Sequence, residues 1–64
     1  MKKSTIGRII DNTNDRRATV IGRYTYKADL NTGEILRCKT EDLGREWLQP
    51  DGAQTSAWEV VAHA

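Results

Sequence analysis

Few side chains in this chain of 64 residues could make or break a bond. Cys38 is the candidate nucleophile, His63 the lone imidazole, and Glu41, Asp42 and Glu46 the most closely spaced carboxylates. An active site needs a nucleophile, an acid or base, and a dry pocket that holds them together. His63 stands one residue from the C-terminus, where backbones fray, and a general base must lie within about 3 Å of its partner. Cys38 falls in step with Tyr24 and Tyr26 and is expected to be a buried, inert thiol. The three carboxylates read as a helix start or a solvated face. One Cys and one His cannot complete a four-ligand zinc site. The glycines, at 7, 22, 33, 44 and 52, are too scattered for a phosphate-binding loop. The expectation is therefore a non-enzymatic protein with no catalytic residue, no metal and no cofactor.

The basic residues offer more. Residues 1–27 hold seven bases against Asp11 and Asp15, a net of +5, while residues 28–64 hold three bases against seven acids, a net of −4. Such asymmetry points to an acidic partner for the first half. Arg17, Arg23, Lys27, Arg37 and Lys39 are expected to share one face of a hairpin, with Thr19 and Thr25 between them. A two-stranded ribbon fits the major groove of DNA, where Arg and Lys read guanine or meet phosphate. In that arrangement Lys27 stands beside Arg37, a repulsion that an anion would relieve. The aromatic residues form a second constellation. Tyr24, Tyr26, Trp47 and Trp58 are expected to supply core; the alternatives are a stacking platform for single-stranded nucleic acid and a hydrophobic patch for a protein partner, the latter at Trp47 and Trp58. The two readings are a small nucleic-acid-binding accessory or regulatory module and, alternatively, an inhibitor or adaptor acting on a host protein through an edge strand or the Trp patch.

A hairpin must position those bases. From Arg17 to Ala28 two sets alternate, one containing Ala18, Val20, Tyr24, Tyr26 and Ala28 and the other the basic and Thr residues, which predicts a strand with one buried face. A tight loop over 30–34 follows, with Gly33 in the left-handed position, and Glu34 to Thr40 returns as the partner strand. The expected register sets Ala28 opposite Leu36, Tyr26 opposite Cys38 and Lys27 opposite Arg37. A first strand is expected at Thr5 to Ile10 and a loop at Asp11-Asn12-Thr13-Asn14-Asp15. Thr40 would cap a short helix near 41–48, Pro50-Asp51-Gly52 would turn, and Ala57 to Ala62 would form the last strand. The fold class is thus mostly β: one domain over 1–64, an antiparallel sheet or partly open barrel of four or five strands, with one short helix.

Tyr24-Thr25-Tyr26-Lys27 followed by Thr32-Gly33-Glu34 is similar to the sheet hairpin in the N-terminal DNA-binding domains of some phage-type tyrosine integrases. The similarity spans residues 24–34 and implies DNA as partner. Those domains end in a helix, where this chain is expected to end in a strand. In general character the chain also resembles phage or plasmid accessory proteins. Its apolar runs are too short to span a membrane, and a lone thiol fits a reducing, cytoplasmic setting. Below about 70–80 residues one core supplies only ~3–5 kcal/mol, so a homodimer through an unpaired strand edge is expected.

Overall fold

A computed structural model describes residues 1–43 and 58–64. Helix α1 covers Lys3–Asn14, followed by strands β1 (Thr19–Ile21), β2 (Tyr24–Ala28) and β3 (Glu34–Lys39), a 3₁₀ turn at Thr40–Asp42, and strand β4 (Glu59–His63). The strands form an antiparallel open sheet in the order β1-β2-β3-β4. Over the described residues the chain is therefore mostly β with one α-helix, as its composition suggests. The helix, however, lies at the start of the chain. Of the short helix expected near 41–48 only the 3₁₀ turn falls within the described residues. The Pro50-Asp51-Gly52 turn and Trp47 lie outside them.

The segment expected as a first strand is helical because its apolar residues repeat with the period of a helix. Ile6, Ile9, Ile10 and Thr13 follow i, i+3, i+4, i+7 spacing, which puts them on one side of a helix and on both sides of a strand. That side meets the sheet. Ile9 and Ile35 are fully buried, Ala28 nearly so, and Ile6, Ile10, Tyr26 and Ala62 close around them. The Asp/Asn-rich stretch expected as a loop is instead the last helical turn and its exit. Its polar side chains are used against the sheet: the Asn12 amide donates to Thr19 Oγ1 at 2.9 Å, and the Ala28 N–H donates to Thr13 Oγ1 at 3.0 Å. β1 pairs with β2 only as far as Tyr26, so the Thr13 hydroxyl takes the place of a strand partner for Ala28.

Helix α1 ends in a Schellman motif. The Arg17 N–H donates to the Asn12 carbonyl at 2.7 Å and the Arg16 N–H to that of Thr13 at 3.1 Å. Arg16 takes the left-handed position, φ 58°, where glycine is the usual residue. It is exposed there. Arg16→Gly is accordingly expected to raise stability by about 1 kcal/mol, visible as an upward shift in thermal midpoint.

The single strand expected from Arg17 to Ala28 is two strands. Gly22 has φ 61° and Arg23 follows it, so Gly22-Arg23 forms a two-residue hairpin loop of type II′ between the paired residues Ile21 and Tyr24. The next loop is as expected: Gly33 has φ 79°, its N–H donates to the Asp29 carbonyl at 2.8 Å, and Asp29 Oδ1 accepts from the Asn31 and Thr32 N–H groups.

The β2–β3 register differs by one residue from the expected one. Tyr26 faces Arg37, Lys27 faces Leu36, and Thr25 faces Cys38. Thus Tyr24, Tyr26, Ala28, Ile35, Arg37 and Lys39 share the helix side, while Thr25, Lys27, Leu36 and Cys38 share the other. The physical reason is that both sides carry buried residues. Thr25 and Cys38 are as buried as Ala28 and Ile35. With two buried sides, alternation along one strand does not say which of its residues join which residues of the next.

Candidate nucleic-acid interface

The five bases expected on one face are divided by this register. Lys27 is on the side away from the helix, with its ammonium 4.6 Å from the centre of the Trp58 ring. Burial lowers its pKa, and Asp29 partly offsets this. The repulsion expected between Lys27 and Arg37 does not arise, because their side chains leave opposite faces. Arg17 precedes β1 and is exposed. Trp58 is half-buried under Lys27. Its partner in that expected patch, Trp47, lies outside the described residues.

Arg23, Arg37 and Lys39 are brought together, and around an aromatic ring. Lys39 is the cross-strand neighbour of Tyr24. The Arg37 guanidinium lies 4.1 Å from the centre of the Tyr24 ring, a stacked cation–π contact. Its Nε donates to Glu59 Oε1 at 2.6 Å, and that bond, with a second one involving Tyr26, raises the Arg37 pKa further. Arg23 arrives from the Gly22-Arg23 turn. Its carbonyl accepts the Thr40 N–H at 2.9 Å, which stitches the first hairpin turn to the 3₁₀ turn at the same end of the sheet. The helix core occupies the opposite end, at Ala28 and Ile35. Four residue steps along β2 separate Tyr24 from Ala28, or about 13 Å of strand.

Between these groups opens a cleft of about 510 Å³ lined by Arg23, Tyr24, Lys39, Thr40 and Glu41. Arg23, Lys39 and Glu41 are exposed; Tyr24 is half-buried. The Thr40 hydroxyl shares a 2.8 Å hydrogen bond with that of Thr25, which is fully buried. Among the described residues the cleft presents two cations, one ring, one hydroxyl and one carboxylate, with Arg37 stacked on the ring. Thr40 and Glu41 belong to this site, whereas the sequence reads them as a helix cap and one of three clustered carboxylates and does not assign them to binding. Their signal is their position directly after β3, where a hairpin end meets the preceding turn.

Cys38 points away from this cleft, on the other side of the sheet beside Thr25, and not beside Tyr26 as expected. It is buried, and its thiol donates weakly to the Lys39 carbonyl at 3.4 Å. Burial pushes the thiol pKa up, with a contribution from the charge of Asp42. A thiol reagent is expected to label the native protein slowly and the denatured protein fast. The folded state holds this proton more tightly than the unfolded state. Its stabilising contribution is thus complete below the unfolded pKa of about 8.5 and is lost as pH rises through the folded value. Lys27, with a lowered pKa, acts in the opposite direction, so a Cys38→Val comparison isolates the thiol. In urea melts between neutral and alkaline pH, the variant is expected to lose less stability than the parent.

His63 stands opposite Glu34 at the end of β4, exposed and on a strand. Among the described residues no group of three or more His, Cys, Asp or Glu side chains could hold a metal ion, and no helix is long and apolar enough to cross a membrane. Comparison with known proteins adds no relative: no family model matches the chain, and no curated protein or solved structure matches it.

Proposed function

We propose that this protein is a non-enzymatic nucleic-acid-binding module that uses the cationic end of its β2–β3 hairpin. The observation that carries this reading is the convergence of Arg23, Arg37 and Lys39 around Tyr24, beyond the part of the sheet that the helix core occupies. Cations beside an aromatic ring suit a ligand that alternates phosphate and base. Arg37 is already committed to Glu59, so Arg23 and Lys39 carry most of the attraction for phosphate. This is a smaller footprint than five bases on one ribbon, and it requires weaker binding. With two to three phosphate contacts, log K falls against log salt with a slope of about −2 to −3 on duplex DNA, from ~0.9 per contact. Fluorescence anisotropy with labelled nucleic acid across a salt series measures it. No binding at low salt and micromolar protein would sink the proposal.

One observation favours a second reading, in which a protein partner docks on the sheet. Val20 and Val60, on the side away from the helix, are 55% and 45% exposed, and β1 and β4 are the outer strands of the sheet. On that reading binding survives high salt, and Val60→Asp abolishes it while Lys39→Glu does not.

A further inference from the structure

We infer that the ligand of the cleft is single-stranded nucleic acid, with one base stacked against the Arg37–Tyr24 pair and the adjoining phosphates held by Arg23 and Lys39. This inference rests on the nucleic-acid reading and names the form of its ligand. Three features of the geometry lead to it.

The first is shape. Duplex DNA presents its bases edge-on within grooves, and a duplex reader inserts a convex element into them. Here the cations sit on the walls of a concave site with a ring among them. Its volume of about 510 Å³ lies in the range of small-ligand clefts, roughly 300–1,000 Å³. A base can enter such a site only when it is unpaired and turned out from its neighbours.

The second is the state of Tyr24. Arg37 is fixed by Glu59 on one side and stacks on the ring on the other, at 4.1 Å. The pair is therefore a preformed flat surface, and little side-chain freedom is lost when a base joins the stack. Every base has a π face, so a platform of this kind tolerates sequence.

The third is the arrangement of charge around the ring. Arg23 comes from the β1–β2 turn and Lys39 from the end of β3, yet both line one cleft, and Glu41 lines it too. Phosphates are drawn to the two cations and repelled from Glu41, which favours a backbone path along the Arg23–Lys39 side of the cleft. Thr40 can assist. Either hydroxyl of the Thr25–Thr40 pair can donate; when Thr25 donates, the Thr40 proton is left for a phosphate oxygen.

The test is competition between labelled single-stranded and duplex oligonucleotides of one sequence, measured by anisotropy at low salt on the full chain. The expected result is tighter binding of the single strand. Tyr24→Leu, which keeps apolar bulk without the ring, is expected to weaken single-strand binding roughly ten- to a hundredfold, and Tyr24→Phe to leave it unchanged. Circular dichroism and a melt of each variant report whether it folds, and Arg23→Gln, at an exposed turn, gives an independent loss without touching the sheet. If duplex binds as well as or better than single strand, or if folded Tyr24→Leu binds normally, the single-strand inference is overturned while the nucleic-acid reading stands. If neither form binds, both fall together.

Discussion

Ile35→Ala is expected to leave the protein largely unfolded at 25 °C. Ile35 is fully buried at the point where β3 meets α1, opposite Ala28 on one side and Ala62 on the other. Removing a buried isoleucine to its Cβ costs about 2–5 kcal/mol, the upper end applying where neighbours cannot collapse into the space. Here the neighbours across both strands are alanines, whose single methyl groups cannot reach into the space. A chain of this length has only ~3–5 kcal/mol in reserve, so the loss is comparable to the whole. Urea titration followed by circular dichroism gives the result directly. Ile9→Ala is expected to do nearly the same, since Ile9 fills the facing position on the helix. The double variant then adds little more, because each single change already empties one shared packing site. Leu30→Ala is the control: Leu30 is 54% exposed in the β2–β3 loop and is expected to change stability by less than about 0.5 kcal/mol. If Ile35→Ala folds normally, the packing of α1 on the sheet is not what holds this chain together.

The parts of the fold that can be read from sequence are those where local chemistry decides. The β2–β3 loop is one: Asp29 accepts two backbone N–H groups, Gly33 takes a positive φ, and both properties belong to those residue types wherever they stand. The ends of β3 and the presence of a C-terminal strand follow from similar signals. The N-terminal helix is legible in principle from the spacing of Ile6, Ile9, Ile10 and Thr13. It is obscured because isoleucine and threonine favour strands when their period is ignored. The split of β1 from β2 depends on Gly22 alone, and a glycine followed by arginine is a weaker turn signal than Asn-Gly or Asp-Gly.

The candidate site is less legible than the fold for one reason. Its membership depends on register, and register depends on what covers each side of the sheet. Thr25 and Cys38 are buried away from the helix, so the side expected to be solvated and basic carries core of its own. A slip of one residue then moves Lys27 away from Arg37 and brings Tyr24 to Arg37 and Lys39. Arg23 joins them through a hydrogen bond between two turns that are far apart in sequence. No pattern within either turn encodes it.

That same register makes the opposing roles of Lys39 and Lys27 the sharpest functional test. Both are lysines on one hairpin, and composition does not distinguish them. Lys39 is exposed beside Tyr24 in the cleft; Lys27 lies on the far side of the sheet over the Trp58 ring. Combined Arg23→Glu and Lys39→Glu is expected to weaken nucleic-acid binding by a hundredfold or more. Each charge-assisted hydrogen bond is worth about 1.5 kcal/mol or more, and every 1.4 kcal/mol is tenfold. Both positions are exposed, so the fold is expected to survive with its thermal midpoint near that of the parent. The salt slope is expected to flatten by roughly one for each cation that no longer meets a phosphate. Lys27→Met, which keeps the long apolar stem over the ring, is expected to leave both affinity and salt slope unchanged. An equal loss of binding from Lys27→Met and from the Lys39 substitution would place the ligand across the far face, and the Tyr24 cleft would then have no part in binding.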